Sequence, residues 1–174
     1  MNKFTITCCG REQAPRILEI FNDAIINTTA LYEYKPRTIE SVYAWFDERE
    51  KSGIPVICAL DSDGILAAFG TYGEFRHHCA YKYSVEHSIY VHKDYRRNGL
   101  ALSIMKMLIA HADKHGVRSM IAAIDSQNIA SKQLHEKLDF KFCGCIKQVG
   151  YKFSRWLDLD FYQLILSGPQ NPEE

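Results

Sequence analysis

No stretch of this 174-residue sequence approaches the ~20 consecutive apolar residues of a membrane helix, and the opening MNKFTITCCGREQ has no apolar segment of the signal-peptide kind. A cytoplasmic protein with no membrane partner is expected. Twenty-one basic residues cancel twenty-one acidic ones, so the charge balance offers nothing to attract nucleic acid or an anionic surface. Six cysteines, at positions 8, 9, 58, 79, 143 and 145, include no C-x-x-C pair and fit no zinc spacing. Free thiols in a reducing compartment, and no metal, are the expectation. No G-x-G-x-x-G opens a helix, which excludes the usual dinucleotide fingerprint. Repeats, low-complexity tracts and interdomain linkers are also lacking, and the length suits one core. A single domain over residues 1–167 is expected, with residues 168–174 as a flexible tail.

What is present centres on residues 84–112, SVEHSIYVHKDYRRNGLALSIMKMLIAHA. Residues 84–92 alternate small or polar with apolar side chains and are rich in β-branched and aromatic types, which predicts a strand. Beyond them Leu100, Ala101, Ile104, Met105, Leu108 and Ala112 trace one helical face, ending at Gly116. The junction Tyr95-Arg96-Arg97-Asn98-Gly99-Leu100-Ala101 places two arginines and a glycine where the first helical N–H groups lack partners, a ready anion site. By itself the same junction also describes a plain turn with solvated arginines.

Around this stretch the pattern predicts a strand over residues 3–8 and a helix whose stripe is Ala14, Ile17, Leu18, Phe21, Ala24 and Ile25. A loop follows over residues 27–37, and its tyrosines either wall a pocket or cover the core edge. Thr38 caps a second helix, with Ile39, Val42, Trp45 and Phe46 inward. Apolar runs 55–60 and 65–72 flank Asp61-Ser62-Asp63-Gly64, a hairpin signal. The basic, aromatic loop over residues 73–83 is either a recognition loop for a carboxylate or other oxyanion, or a solvated turn. Strand 118–125, helix 128–138 and strands 140–148 and 157–166 complete the chain.

Three ordered motifs, Arg96-Arg97-Asn98-Gly99-Leu100-Ala101, then residues 128–140 (NIASKQLHEKLDF), then residues 148–158 (QVGYKFSRWLD), resemble the GNAT superfamily of acyl-CoA-dependent N-acyltransferases. Within it they are similar to the branch of phosphinothricin and methionine sulfone or sulfoximine acetyltransferases. The superfamily's CoA loop reads Gln/Arg-x-x-Gly-x-Gly/Ala, which this chain matches with the Ala option. Two positions depart from the pattern: Arg97, where relatives often carry Gly, and Asp139, where Leu-Gly-Phe is usual. Asp tolerates a left-handed backbone better than most residues, so a helix stop at 139 is expected to survive.

The resemblance implies an α/β fold: a mixed, twisted central sheet with helices on both faces and a splayed strand pair holding acetyl-CoA. It implies acetylation of the amine of a small amino acid or analogue such as phosphinothricin, methionine sulfone or methionine sulfoximine, by a homodimer. A protein N-terminus or polyamine as substrate, and a non-catalytic acyl-CoA-binding module, are the alternatives. For the cofactor it points to Ser88, Ile89 and Tyr90, to Arg96, Arg97, Asn98, Gly99, Leu100 and Ala101, and to Asn128. For catalysis it points to Glu86 as general base, whose bland reading is a strand residue paired to a lysine. It also points to His135, as acid to sulfur or second proton acceptor, whose bland reading is a helix histidine holding a backbone carbonyl. Arg76, with neighbours His77 and His78, is implied for the substrate's acidic group.

Overall fold

The structure, a computed structural model, describes residues 4–174. Among the described residues, seven strands in hydrogen-bonded order β1-β2-β3-β4-β5-β7-β6 and four α-helices make it a mixed α/β protein. The chain divides into two compact units, residues up to Thr71 with Ile89–Leu108, and Tyr72–Ser88 with Ile109–Glu174.

The first unit holds β1 (Thr5–Cys8), α1 (Ala14–Asn27), α2 (Ile39–Lys51), β2 (Ile57–Leu60) and most of β3 (Leu66–Glu74). Lys3, expected to open β1, lies outside the described residues. β1 pairs with β2 and β2 with β3, all antiparallel, the second pair joined by the Asp61–Gly64 turn. The α1 stripe is buried as expected, with Ile20 in the seam and Leu18 at its edge. Phe21 sits edge-on to Phe69 at 5.0 Å and to Trp45 at 5.6 Å. Burying each such ring is worth about 1.5–3 kcal/mol, so this aromatic cluster anchors the helix pair. Thr38 caps α2 by accepting from the Ser41 N–H at 3.3 Å.

The second unit holds the start of β4 (Ser84–Val91), the end of α3 (Leu100–Lys114), and β5 (Ser119–Asp125), α4 (Ile129–Lys137), β6 (Lys141–Lys152) and β7 (Arg155–Ile165). β4 runs parallel to β5 over Ser84↔Ser119, Val85↔Met120 and Glu86↔Ile121, and the ladder stops there. β6 and β7 form one long antiparallel hairpin, extending past both expected strand ends at 148 and 157. Its turn is Phe153-Ser154, at φ of 52° and 58°, which no glycine or asparagine announces. Beyond β7, Ser167 donates to Asp113 through its N–H (2.8 Å) and its hydroxyl (2.6 Å), and Tyr83 Oη bonds the Glu173 backbone at 3.1 and 3.3 Å.

Candidate active site

The anion loop belongs to the first unit. After β4 the chain makes a 3-10 turn at Lys93–Tyr95, extends through Arg96, and enters α3 at Leu100. Arg97 has φ 64° and Gly99 φ 73°. Left-handed residues on either side of Asn98 are the backbone chemistry of loops that take anions, and the positive end of α3 follows at once. Glycine would suit position 97 for a physical reason: the left-handed backbone costs an L-residue about 1–2 kcal/mol. Arg97 bears that strain while adding a cation. The Asn98 side chain donates to the Tyr95 carbonyl at 3.1 Å and closes the loop.

The loop is tied down from outside. Tyr95 donates its hydroxyl to Asp61 Oδ2 at 2.7 Å, and Asp61 is already braced by the N–H groups of Asp63 and Ile65. His92 is buried, its Nε2 lies 3.3 Å from Glu19 Oε1, and its N–H reaches the Ala67 carbonyl at 2.9 Å. Tyr90 packs its ring between Phe21 and Phe69, at 5.2 and 5.3 Å. What Tyr90 can offer a ligand is therefore chiefly its backbone.

The second unit holds the titratable groups. Glu86 is half-buried on β4, and burial pushes its carboxyl above the usual carboxylate range while the Arg76 guanidinium draws it back. Alternation along β4 sends Glu86 and Ser88 to one face and Val85 and His87 to the other. Arg76 is exposed over the Phe75 ring at 5.0 Å. His77 is fully in solvent and pairs with Glu74 at 2.9 Å, while His78 begins a short 3-10 turn. Of the three basic residues expected for substrate, the charge felt at Glu86 is Arg76's alone.

Asn128 is the N-cap of α4: its Oδ1 accepts from the Ser131 N–H at 3.1 Å. α4 is stopped just beyond its cap by Asp139, left-handed with φ 66°, as anticipated. Its N–H reaches the Glu136 carbonyl at 3.1 Å and the Phe140 N–H reaches His135 O at 3.0 Å, the paired bonds of a Schellman stop. His135 is 1% exposed, with Nδ1 2.6 Å from the Ser131 carbonyl and Nε2 3.0 Å from His87 Nε2. It thus holds a backbone carbonyl and has both nitrogens engaged, so any part it plays in a reaction passes through His87. Sequence reasoning overlooked His87. Its one signal was its register: it falls two residues after Val85 on the inward face of the strand.

Among the described residues, no group of three or more His, Cys, Asp or Glu side chains is placed to hold a metal, and no helix is long and apolar enough to cross a membrane. The family described as "Acetyltransferase (GNAT) family" matches residues 17–140. An L-methionine sulfoximine/L-methionine sulfone acetyltransferase of Pseudomonas aeruginosa is 42% identical over 162 residues, 93% of this chain and 94% of that protein. Among solved structures, an N-acetyltransferase from Staphylococcus aureus superposes with TM-score 0.93 at 44% identity, covering 95% of this chain and 99% of that one. A phosphinothricin acetyltransferase of Sinorhizobium meliloti in complex with acetyl-CoA superposes with TM-score 0.93 at 29% identity, covering 98% and 93%.

Proposed function

This chain belongs to the acetyltransferase (GNAT) family, and from that premise we propose that it transfers the acetyl group of acetyl-CoA to the amine of a small amino acid carrying an oxidised sulfur or a phosphinic group. The observation that carries the reading is Glu86, a half-buried carboxylate of raised proton affinity answering to the charge of Arg76. An alkyl ammonium is almost wholly protonated at neutral pH, so acyl transfer needs a base whose proton affinity has been brought closer to the amine's. The left-handed turn at Arg97 and Gly99 before α3, with Arg96, suits a pyrophosphate; the β4 backbone at Ser88, Ile89 and Tyr90 suits an amide-bearing arm; Asn128 lies at the cap of the next helix. Acetyl-CoA supplies the activated acyl thioester.

Arg76 would choose the substrate. Paired guanidinium donors match two oxygens on one centre, which a sulfone, sulfoximine or phosphinate provides and a thioether does not. The Pseudomonas relative is named for methionine sulfone and sulfoximine and the Sinorhizobium one for phosphinothricin, all of which carry those groups. The experiment is release of CoA across a panel of amines. Methionine sulfone, methionine sulfoximine and phosphinothricin should lead, and Arg76→Ala should lower their kcat/KM by about ten- to a hundred-fold relative to methionine. Preference for polyamines or peptides overturns the substrate class, and binding of acetyl-CoA without acetylation of any amine favours a non-catalytic module.

A homodimer in the cytoplasm completes the proposal. The exposed aromatic and aliphatic side chains of the β6–β7 hairpin, among them Phe142, Tyr151, Phe153 and Trp156, support it, since a strip of that character is poorly suited to water. Light scattering should give twice the 20.0 kDa chain mass.

A further inference from the structure

β4 loses its ladder to β5 at Glu86↔Ile121, and His87 is the first residue beyond. β3 still flanks β4 on its other edge, but on the β5 side the ladder no longer ties the strand down beside the carboxylate proposed as base, and another contact is needed there. His87 is 8% exposed and its ring lies nearly parallel to that of His135, at 20°, with Nε2 of the two rings 3.0 Å apart. Phe140 stands edge-on to both, at 5.6 and 5.1 Å, and from β7 the Tyr162 ring faces His135 at 6.5 Å.

One carbonyl fixes every proton in this pair. The oxygen of Ser131 can only accept, so His135 Nδ1, 2.6 Å away, carries the hydrogen and donates it. His135 Nε2 is then a lone pair, and His87 Nε2 must donate to it. That leaves His87 Nδ1 as a lone pair, buried and without a hydrogen-bond partner among the described residues. Leaving a buried acceptor unpaired is costly, and an apolar pair would avoid the cost, so the directed bond has a use that packing would not meet. A proton source for a leaving thiolate needs an N–H pointing at it; here both N–H groups are consumed within the chain from His87 to Ser131.

We propose that His87 is a positioning residue: by donating to His135 it clamps β4 to α4 where the β5 ladder ends, and so holds the Glu86–Ser88 backbone in register for acetyl-CoA. This rests on the reading of residues 86–90 given above. The clamp acts in its uncharged form. Burial pushes His87 down to about 3 and His135 below the ordinary histidine range, so neither carries a charge near neutrality.

The test uses the full chain and four measurements: acetyl-CoA affinity by calorimetry, kcat, melting temperature, and imidazole nitrogen spectra. His87→Leu fills the space without a donor, and His87→Gln keeps an N–H at the reach of Nε2. His87→Leu should weaken acetyl-CoA binding and kcat by about ten-fold, with no pH-dependence from the pair itself, and His87→Gln should stay within about three-fold of the parent. His135→Asn, which keeps the donor to Ser131 and loses the acceptor for His87, should match His87→Leu and serves if the leucine variant does not fold. Around neutral pH the parent should show His135 with hydrogen on Nδ1 and His87 with hydrogen on Nε2. Parent-like acetyl-CoA binding by His87→Leu, equal defects in the leucine and glutamine variants at parent-like melting temperatures, or hydrogen on the opposite ring nitrogens at neutral pH would overturn the clamp. A parent that binds acetyl-CoA but acetylates no amine sinks the proposed function and leaves the calorimetric result standing.

Discussion

A carboxylate can take a proton from an alkyl ammonium only while it is ionised, and burial of Glu86 moves the pH at which that begins. Its carboxyl is held above the usual range, so kcat should rise with pH through that elevated value, as the base becomes available. Glu86→Gln removes the base while keeping the shape, and should lower turnover by ~10²–10⁴ with acetyl-CoA affinity nearly unchanged. Because alkali supplies free amine unaided, the gap between variant and parent should narrow as pH rises. A rate defect that stays constant into strongly basic solution would remove Glu86 from the role of base. Both Glu86 and its neighbour are in the sequence as plainly as any residue, yet only Glu86 was legible. A carboxylate two residues before the segment proposed for the cofactor is a motif position, whereas His87 acquires meaning from His135, forty-eight residues away, which only the fold brings to 3.0 Å.

At the scale of the element, the helices and inner strands were readable because their periodicity and their stops agree. α1 shows its stripe, α2 its Thr38 cap, and α4 a stop whose residue, Asp139, tolerates a left-handed backbone. The β6–β7 hairpin was not, since its turn is made by Phe153 and Ser154 and its outer side chains are aromatic on both strands. With no turn residue to mark the reversal, two separate strands, 140–148 and 157–166, with a tract between them are the natural reading. The stop of α4 yields a direct prediction. Asp139→Gly removes the left-handed penalty without touching the paired Schellman bonds, and should stabilise the protein by about 0.5–1 kcal/mol, raising the melting temperature by roughly 1–4 °C. A variant that melts below the parent would mean that the Asp139 side chain, and not its backbone, holds the helix end.

For the whole molecule, the buried imidazoles set the acid limit of stability. His87 has its proton affinity pushed down to about 3 by burial first and by His135 second. The sign follows: the unfolded chain binds a proton near pH 6.5 that the folded chain refuses, so unfolding takes up protons and stability falls as the pH drops below about 6.5. That single group contributes up to about 1.4 kcal/mol per pH unit across the window between the two values. Glu86 works in the opposite direction, its raised affinity favouring the folded form where it is protonated, but over a range reduced by its partial exposure. The unfolding midpoint in denaturant should therefore climb from pH 4.5 or so to 7, and His87→Leu should flatten that climb. An equal slope in parent and variant would show that His87 is protonated in the folded state.

The last residues of the chain have a practical bearing. Tyr83, one residue ahead of β4, exchanges two bonds with Glu173, and Ser167 is pinned to Asp113 at the end of α3. The carboxyl end is thus stitched to the approach of the strand that carries Glu86. An affinity tag fused there pulls on that stitch, and a carboxypeptidase trimming it would unpick the Tyr83 bonds first. Purification at the amino end, or enzymatic removal of the tag before any kinetic comparison, keeps the handle used to isolate the protein from altering the strand under study.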